Sequence, residues 1–373
     1  MVELPFYYDV DMRITALDYE LPPGHIAVQP AQPRDSARLM VVRRGSNQVS
    51  HHRVSDIPDL GLLHAGDLLV FNRSKVIPAC FRGQRAKTHG QVEGLYLHTP
   101  DPNQPRRCVV MLQARGTLQP HERIVLEDQT QLELLERQDQ GQWLGEMHGP
   151  EAILTLLERV GLPPIPPYIR KERKAQDLPE FVVEDRLRYN TVYARDPGSV
   201  AAPTAGLHFT PELLAHLWSR GVHCAWVTLH VGMGTFAPIR AEKLADHPMH
   251  AEWLNVPAET IQALRETRDR GYRIVPVGTT SVRALESLPP AWEACAQGYA
   301  GWTRLFIQPT ADPPFVFRFT DQLLTNFHLP RSTLLAMVAS LPDVGIDRLH
   351  LWYQEAIKHH YRFYSFGDAM WLA

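Results

Sequence analysis

A chain of 373 residues with 44% hydrophobic and 21% charged residues is long enough for two domains, or for one with a large insertion, and is ordinary for a globular protein. Its net charge of −3 excludes a protein that is basic all over, but leaves room for a local basic patch for a nucleic acid. Four scattered cysteines, Cys80, Cys108, Cys224 and Cys295, include no C-x-x-C pair, which argues against a zinc site or a disulfide framework and fits a reducing cytoplasm.

The N-terminus carries Glu3, Asp9 and Asp11 where an export signal needs positive charge, and the longest apolar stretch, "STLLAMVASL", is too short to span a bilayer. A cytoplasmic protein without a membrane partner is expected. Basic residues gather at Arg34 and Arg38 in "QPRDSARLM", at Arg73, Lys75 and Arg82 in "FNRSKVIPACFRG", and from Arg170 to Lys174. Surface solubility and phosphate tracking both account for them.

From about Asp67 to His148 the pattern is strand-like, with "DLLVFN", "VIPACF", "VEGLYLH", "CVVMLQA", "RIVLE", "QLELLE" and "WLGEM" separated by turn residues. Closely spaced short strands suggest a small barrel or sandwich. A helix is predicted at "PEAILTLLERVG", and the proline-rich "LPPIPPYIRKERK" reads as a linker.

Beyond the linker helices and strands alternate. In "GSVAAPTAGLHFTPELL", Thr210 caps a helix, Pro211 suits its first position and Gly221 ends it, so Thr204, Gly206 and His208 are left without a capping role. A strand "HCAWVTLHV", a helix "PAETIQALRETRDRG", a strand "YRIVPVG" and a helix from Ser281 follow. Such alternation predicts an α/β fold with a mainly parallel sheet covered by helices, and ligands beyond the carboxyl ends of its strands.

Four loops at those ends combine polar groups with glycine. Besides the loop at His208, a strand ends at His230 before Gly232 and Gly234, which let backbone approach a ligand closely, although no dinucleotide fingerprint is present. In "RIVPVGTTSVRALES", Gly278, Thr279, Thr280, Ser281 and Arg283 form either a plain helix cap or an anion site for a carboxylate or phosphate. "TDQLLTNFHLPRSTLL" brings Asn326 and His328 to a strand end before Ser332 caps a further helix. In "DHPMHAEW", Pro248 breaks a regular helix, so His247, His250 and Glu252 suggest polar substrate contacts or a buried hydrogen-bonded turn rather than metal, with His250 and Glu252 able to face one pocket.

Together these segments resemble the S-adenosylmethionine:tRNA ribosyltransferase-isomerase family of queuosine biosynthesis. The resemblance is carried by "YELPPGHIAVQP", "RDSARLMVV", "GDLLVFNRSKVIPACFRG", "SVAAPTAGLHF", "TLHVGMGTFAPIR", "HAEW", "VGTTSVRALES", "TNFHLPRSTLLAMV" and "YRFYSFGDAM", in order along nearly the whole chain. It implies an α/β domain in two parts, residues 1–62 and 159–373, around an inserted all-β barrel at 63–158. It also implies transfer and isomerisation of the ribosyl moiety of S-adenosylmethionine onto 7-aminomethyl-7-deazaguanine at the wobble position of tRNA. Epoxyqueuosine, adenine and methionine are the products.

That chemistry needs a base for a proton beside the sulfonium and a proton or hydrogen bond for departing adenine. His208, His230 and His328 are the candidates, with Glu252 and Asp321 as carboxylate alternatives and the individual steps unassigned. Thr204, Gly206, Gly232, Gly234, Gly278, Thr279, Thr280, Ser281, Arg283 and Asn326 are expected at the substrate. Arg34, Arg38, Arg73, Lys75, Arg82 and Arg170 are expected on the tRNA anticodon arm. No metal and no cofactor beyond S-adenosylmethionine as a substrate is expected, and a monomer is the expected state. The chain departs from the usual family pattern at Asn190 in "YNTVY", where a glutamine is customary, and in the barrel segments "GQVEGLYLH" and "QARGTLQPHE", which are poorer in lysine.

Overall fold

The computed structural model describes residues 12–101, 103–232, 241–309 and 313–373. Gly234, one of the expected substrate contacts, lies outside them. The apolar run "LMVV" forms most of β1 (Arg38–Arg43), which turns at Asn47, φ 56°, into the antiparallel β2 (Gln48–Arg53). β3 (Leu68–Asn72) is buried at every position, as an unbroken apolar strand covered on both faces should be.

After the short β4 (Ser74–Val76) come the strands of the predicted barrel, β5 (Cys80–Arg85), β6 (Gln91–His98), β7 (Arg107–Ala114), β8 (Arg123–Leu126), β9 (Gln131–Arg137) and β10 (Gln142–His148). They pair antiparallel in the order β10-β7-β6-β5-β8-β9 and close because β9 also pairs with β10. Along β6 and β10 buried and less buried residues alternate, the period-two pattern that fills a small barrel from one face of each strand. β3, at the start of the segment expected to belong to the insert, is instead a central strand of the large sheet, and the barrel strands begin at Cys80.

The chain leaves the barrel through α1 (Ile153–Val160), α2 (Pro167–Ala175) and α3 (Asp185–Arg188). The expected linker is therefore partly helical. Pro167 occupies the first turn of α2, where its missing N–H costs no hydrogen bond, and the straight-chain residues after it favour helix. β11 (Asp196–Ser199) then pairs parallel with β4.

The second half supplies α4 (Pro211–Ser219), β12 (His223–Leu229), β13 (Glu252–Val256), α5 (Ala258–Asp269), β14 (Ile274–Val277), α6 (Thr279–Glu286), β15 (Tyr299–Thr303), β16 (Leu323–Asn326), α7 (Thr333–Ala339), α8 (Gly345–Lys358) and β17 (Ala369–Leu372). Thr210 and Ser332 cap α4 and α7 as predicted, accepting from the Leu213 and Leu335 amides. The large sheet runs β15-β13-β12-β3-β14-β16-β17-β1-β2.

That sheet is mixed rather than mainly parallel. β12-β3, β3-β14, β14-β16 and β17-β1 are parallel, whereas β15-β13, β13-β12, β16-β17 and β1-β2 are antiparallel. For β1 and β2 the reason lies in the connection: the chain turns between them at Asn47, far too short a link for the crossover that parallel neighbours require. The four mutually parallel strands β12, β3, β14 and β16 keep their carboxyl ends together, and the predicted loops follow those ends.

Candidate active site

Asn72 ends β3 and binds the strands together: its side-chain N–H donates to the Leu229 carbonyl, and its oxygen accepts from the Leu229 and Ser74 amides. This fully buried amide fixes the heights of the β3 and β12 ends. Beyond them Ser199 hydroxyl accepts from the Val231 amide and donates to the Ala201 carbonyl, holding the loop before Thr204 against the end of β12.

The cavity so formed is lined by Thr204 and Ala205, Gly278, Thr279 and Thr280, Thr325, Asn326 and His328, and by Tyr168, Tyr364 and Ser365. Gly278 caps α6 with φ 87°, a left-handed backbone that glycine adopts without strain. Ser281 is spent within the helix, its hydroxyl donating to the Val277 carbonyl. Thr280 Oγ1 and Asn326 Oδ1 are buried without a hydrogen-bond partner among the described residues, while Asn326 Nδ2 donates to the Tyr364 carbonyl. Buried polar atoms are normally paired, so two orphans on one wall mark a place for a polar ligand.

The three histidines differ in environment. His328 lies in the cavity wall, its Nε2 2.7 Å from Thr325 Oγ1, and its backbone is pinned by Tyr353 and by the Tyr19 hydroxyl, which donates to its carbonyl at 2.5 Å. Burial pushes its pKa down to about 3, so the ring is neutral. His230 is half-buried, stacked on Trp253 and 2.8 Å from Ser74 Oγ through Nδ1; burial lowers its pKa, with Asp196 opposing. His208 sits between two loops with Nδ1 3.0 Å from the Ala205 carbonyl and Nε2 2.9 Å from the Gly367 carbonyl, and its neutral ring, with one N–H, donates to one of the two. Burial lowers its pKa although both carbonyls favour the cation.

Several expected contacts are placed elsewhere. Asp321 accepts from the Ile274 amide and pairs with Arg268, which puts it at the amino end of β14, across the sheet from Gly278. It is removed from the catalytic candidates by that position. Glu252 is buried in an ion pair with Arg283 and accepts from the Gly232 amide, whereas His250 is exposed, so the two do not share a pocket. Gly206 leaves room not for a ligand but for Tyr193, whose hydroxyl would lie 1.9 Å from a Cβ there.

Of the expected tRNA contacts, Arg34 donates to the Leu187, Asn190 and Leu207 carbonyls, and Arg38 to the His359 carbonyl while lying over the Tyr361 ring. Arg73 pairs with Asp196, and Arg170 with Glu93 and Glu180. These four are half-buried and already engaged by other residues of the fold. Lys75 and Arg82 are exposed, Arg82 on the rim of a barrel groove with Gln91, Gln113 and Arg115. Asn190 accepts from the Val76 amide and donates to the Arg186 carbonyl, so this departure joins α3 to β4 rather than facing RNA. Tyr168, Thr325, Tyr364 and Ser365 were not singled out from the sequence; Thr325 lies beside Asn326, and the tyrosine–serine pair sits in "YRFYSFGDAM".

The profile of the queuosine biosynthesis protein family matches residues 14–372. The chain belongs to that family. It is 44% identical over 362 residues to the S-adenosylmethionine:tRNA ribosyltransferase-isomerase of Thermotoga maritima, a match covering 96% of this chain and 99% of the relative. The enzyme of the same name from Moorella thermoacetica is 43% identical over 369 residues, with 96% and 99% covered. A crystal structure of S-adenosylmethionine tRNA ribosyltransferase from Thermotoga maritima superposes with a TM-score of 0.52 and 35% identity, covering 96% of this chain and all of that one. Among the described residues no helix is long and apolar enough to cross a membrane.

Proposed function

We propose that this member of the queuosine biosynthesis family is an S-adenosylmethionine:tRNA ribosyltransferase-isomerase acting in the cytoplasm. It moves the ribosyl moiety of S-adenosylmethionine onto the aminomethyl group of 7-aminomethyl-7-deazaguanine in tRNA, and releases adenine and methionine. The observation that carries the assignment to this cavity is its pair of buried, unpartnered oxygens, Thr280 Oγ1 and Asn326 Oδ1, at the carboxyl ends of parallel strands.

The donor lies against Thr280 and Asn326, whose free oxygens take N–H or O–H groups of the ligand. His328, held neutral, offers a hydrogen bond without adding a positive charge beside a sulfonium. A ring with so low a pKa is a poor proton acceptor, so proton removal falls to His230, whose pKa burial also lowers but Asp196 partly restores. Tyr168 and Ser365, hydrogen-bonded at 2.5 Å, close the remaining wall. The tRNA approaches across Lys75 and the barrel rim at Arg82, with the modified base out of its stack.

Incubation with S-adenosylmethionine and tRNA carrying the deazaguanine precursor, followed by nucleoside mass analysis, tests the assignment. The expected product gains the ribosyl-derived ring as adenine appears. Formation of S-adenosylhomocysteine and a methylated nucleoside would replace this reading with a methyl transfer.

A further inference from the structure

Outside the cavity lining, the end of α8 meets the edge hairpin. Glu355 and His359 stand one helical turn apart, so both project to the same side of the helix, and His51 on β2 faces them. Both histidines present Nε2 to the same carboxylate oxygen: His359 Nε2 is 2.9 Å from Glu355 Oε1, and His51 Nε2 is 3.8 Å from it. The ligand atoms all lie within 4.8 Å of one another, and none of the three side chains is fully exposed. The two imidazoles stack with ring centres 4.2 Å apart.

We propose that His51, Glu355 and His359 bind a divalent transition-metal ion, zinc in the first instance, with water completing the shell. Donors around zinc sit about 2.0–2.1 Å from the metal and so roughly 3.3 Å from one another in a tetrahedron, so binding would draw the three side chains together and tilt the stacked rings apart. Two imidazoles and a carboxylate suit zinc better than magnesium or calcium, which prefer oxygen alone.

The surroundings match a metal-binding histidine. His51 Nδ1 is 2.9 Å from the Tyr361 hydroxyl, and with Nδ1–H donating to that oxygen this is the outer hydrogen bond that fixes a ligand's ring and leaves Nε2 free for the ion. Arg38 is turned to the Tyr361 ring and the His359 carbonyl. The barrel offers a contrast: His121 and His148 contact different oxygens of Glu133, so their nitrogens do not converge.

Calorimetric titration of the chelator-stripped full chain with zinc chloride, and with cobalt chloride followed by its visible absorption, tests the site. One ion per chain is expected to bind saturably. His51→Ala, His359→Ala and Glu355→Gln should each weaken binding by about a hundredfold or more, and Tyr361→Phe by roughly ten- to a hundredfold. The barrel double variant His121→Ala/His148→Ala should bind like the parent. Glu355→Gln and Tyr361→Phe keep the shape of the side chain, so they answer the question if an alanine variant does not fold. Absence of saturable binding by the parent chain, or undiminished binding by folded Glu355→Gln and Tyr361→Phe, would overturn the proposal.

Discussion

Arg283 on α6 and Glu252 on β13 form an ion pair in which both side chains are buried, at 6% and 4% exposure. The pairing is incomplete on the arginine side, because Nε and Nη2 have no hydrogen-bond partner among the described residues. A buried guanidinium with donors unpartnered among the described residues suits an anionic group of the substrate, such as the methionyl carboxylate, although Arg283 is not among the residues lining the cavity.

Arg283→Gln should therefore raise the KM for S-adenosylmethionine by about tenfold or more, the scale of one charge-assisted hydrogen bond, while tRNA affinity stays unchanged. Both variants should also cost about 3–5 kcal/mol of stability, because Glu252→Ala strands the arginine charge and Arg283→Gln the carboxylate, so the rise in KM should appear in the folded arginine variant beyond that shared loss. Steady-state kinetics and urea midpoints separate the two effects.

His208→Ala is expected to lower the unfolding midpoint and to reduce turnover only in proportion to the folded fraction. Its ring joins the Ala205 and Gly367 carbonyls, and losing such buried contacts costs about 1–3 kcal/mol. A folded variant with turnover down a thousandfold at normal stability would put His208 at the reacting atoms.

How far this site could be read from the sequence follows from residues of this kind. Thr210 and Ser332 were legible as caps, and Gly278 as a helix opening, because local backbone chemistry fixes them. His208 and Asp321 looked like site residues because they flank strand ends in sequence, yet which atoms face the cavity depends on distant partners such as Gly367 and Ile274. The basic residues show the same limit: Arg34 looks free in "QPRDSARLM", and only folding brings it to the Asn190 carbonyl. Likewise, alternation predicted the α/β half, but the antiparallel pairings β12-β13, β13-β15 and β16-β17 leave no periodic signal in the sequence.

Acid should destabilise the protein through its buried histidines. The folded pKa of His328 is about 3 against an ordinary 6.5, so the unfolded chain binds the proton more readily between those values. This contribution is complete above about pH 6.5 and is lost as pH falls towards 3, with a slope of up to about 1.4 kcal/mol per pH unit. Urea midpoints from pH 7 to pH 5 should fall less steeply for His328→Gln than for the parent; parallel slopes would contradict a neutral His328.

Gly206→Ala should destabilise by about 1–3 kcal/mol, because the new Cβ meets the Tyr193 hydroxyl. Tyr193→Phe removes that hydroxyl, which is buried without a partner among the described residues, and should restore part of the loss in the double variant. Additive effects in thermal unfolding would show that the two residues do not meet.

Lys75→Ala should weaken tRNA binding and reduce the salt slope by about one unit, as loss of one phosphate contact does. Arg34→Ala should leave the slope unchanged and lower stability, since its guanidinium is engaged by three backbone carbonyls. Filter binding at a series of salt concentrations distinguishes them.

The most direct test of the central claim is the ratio of adenine released to epoxyqueuosine formed, measured with S-adenosylmethionine and precursor-bearing tRNA for the parent and for Asn326→Leu. Equal amounts of adenine and product from the parent, with both falling together by about tenfold or more in a folded Asn326→Leu, are predicted. Undiminished adenine and epoxyqueuosine from that variant would contradict the placement of the donor against Asn326, and no adenine from the parent would contradict the activity itself.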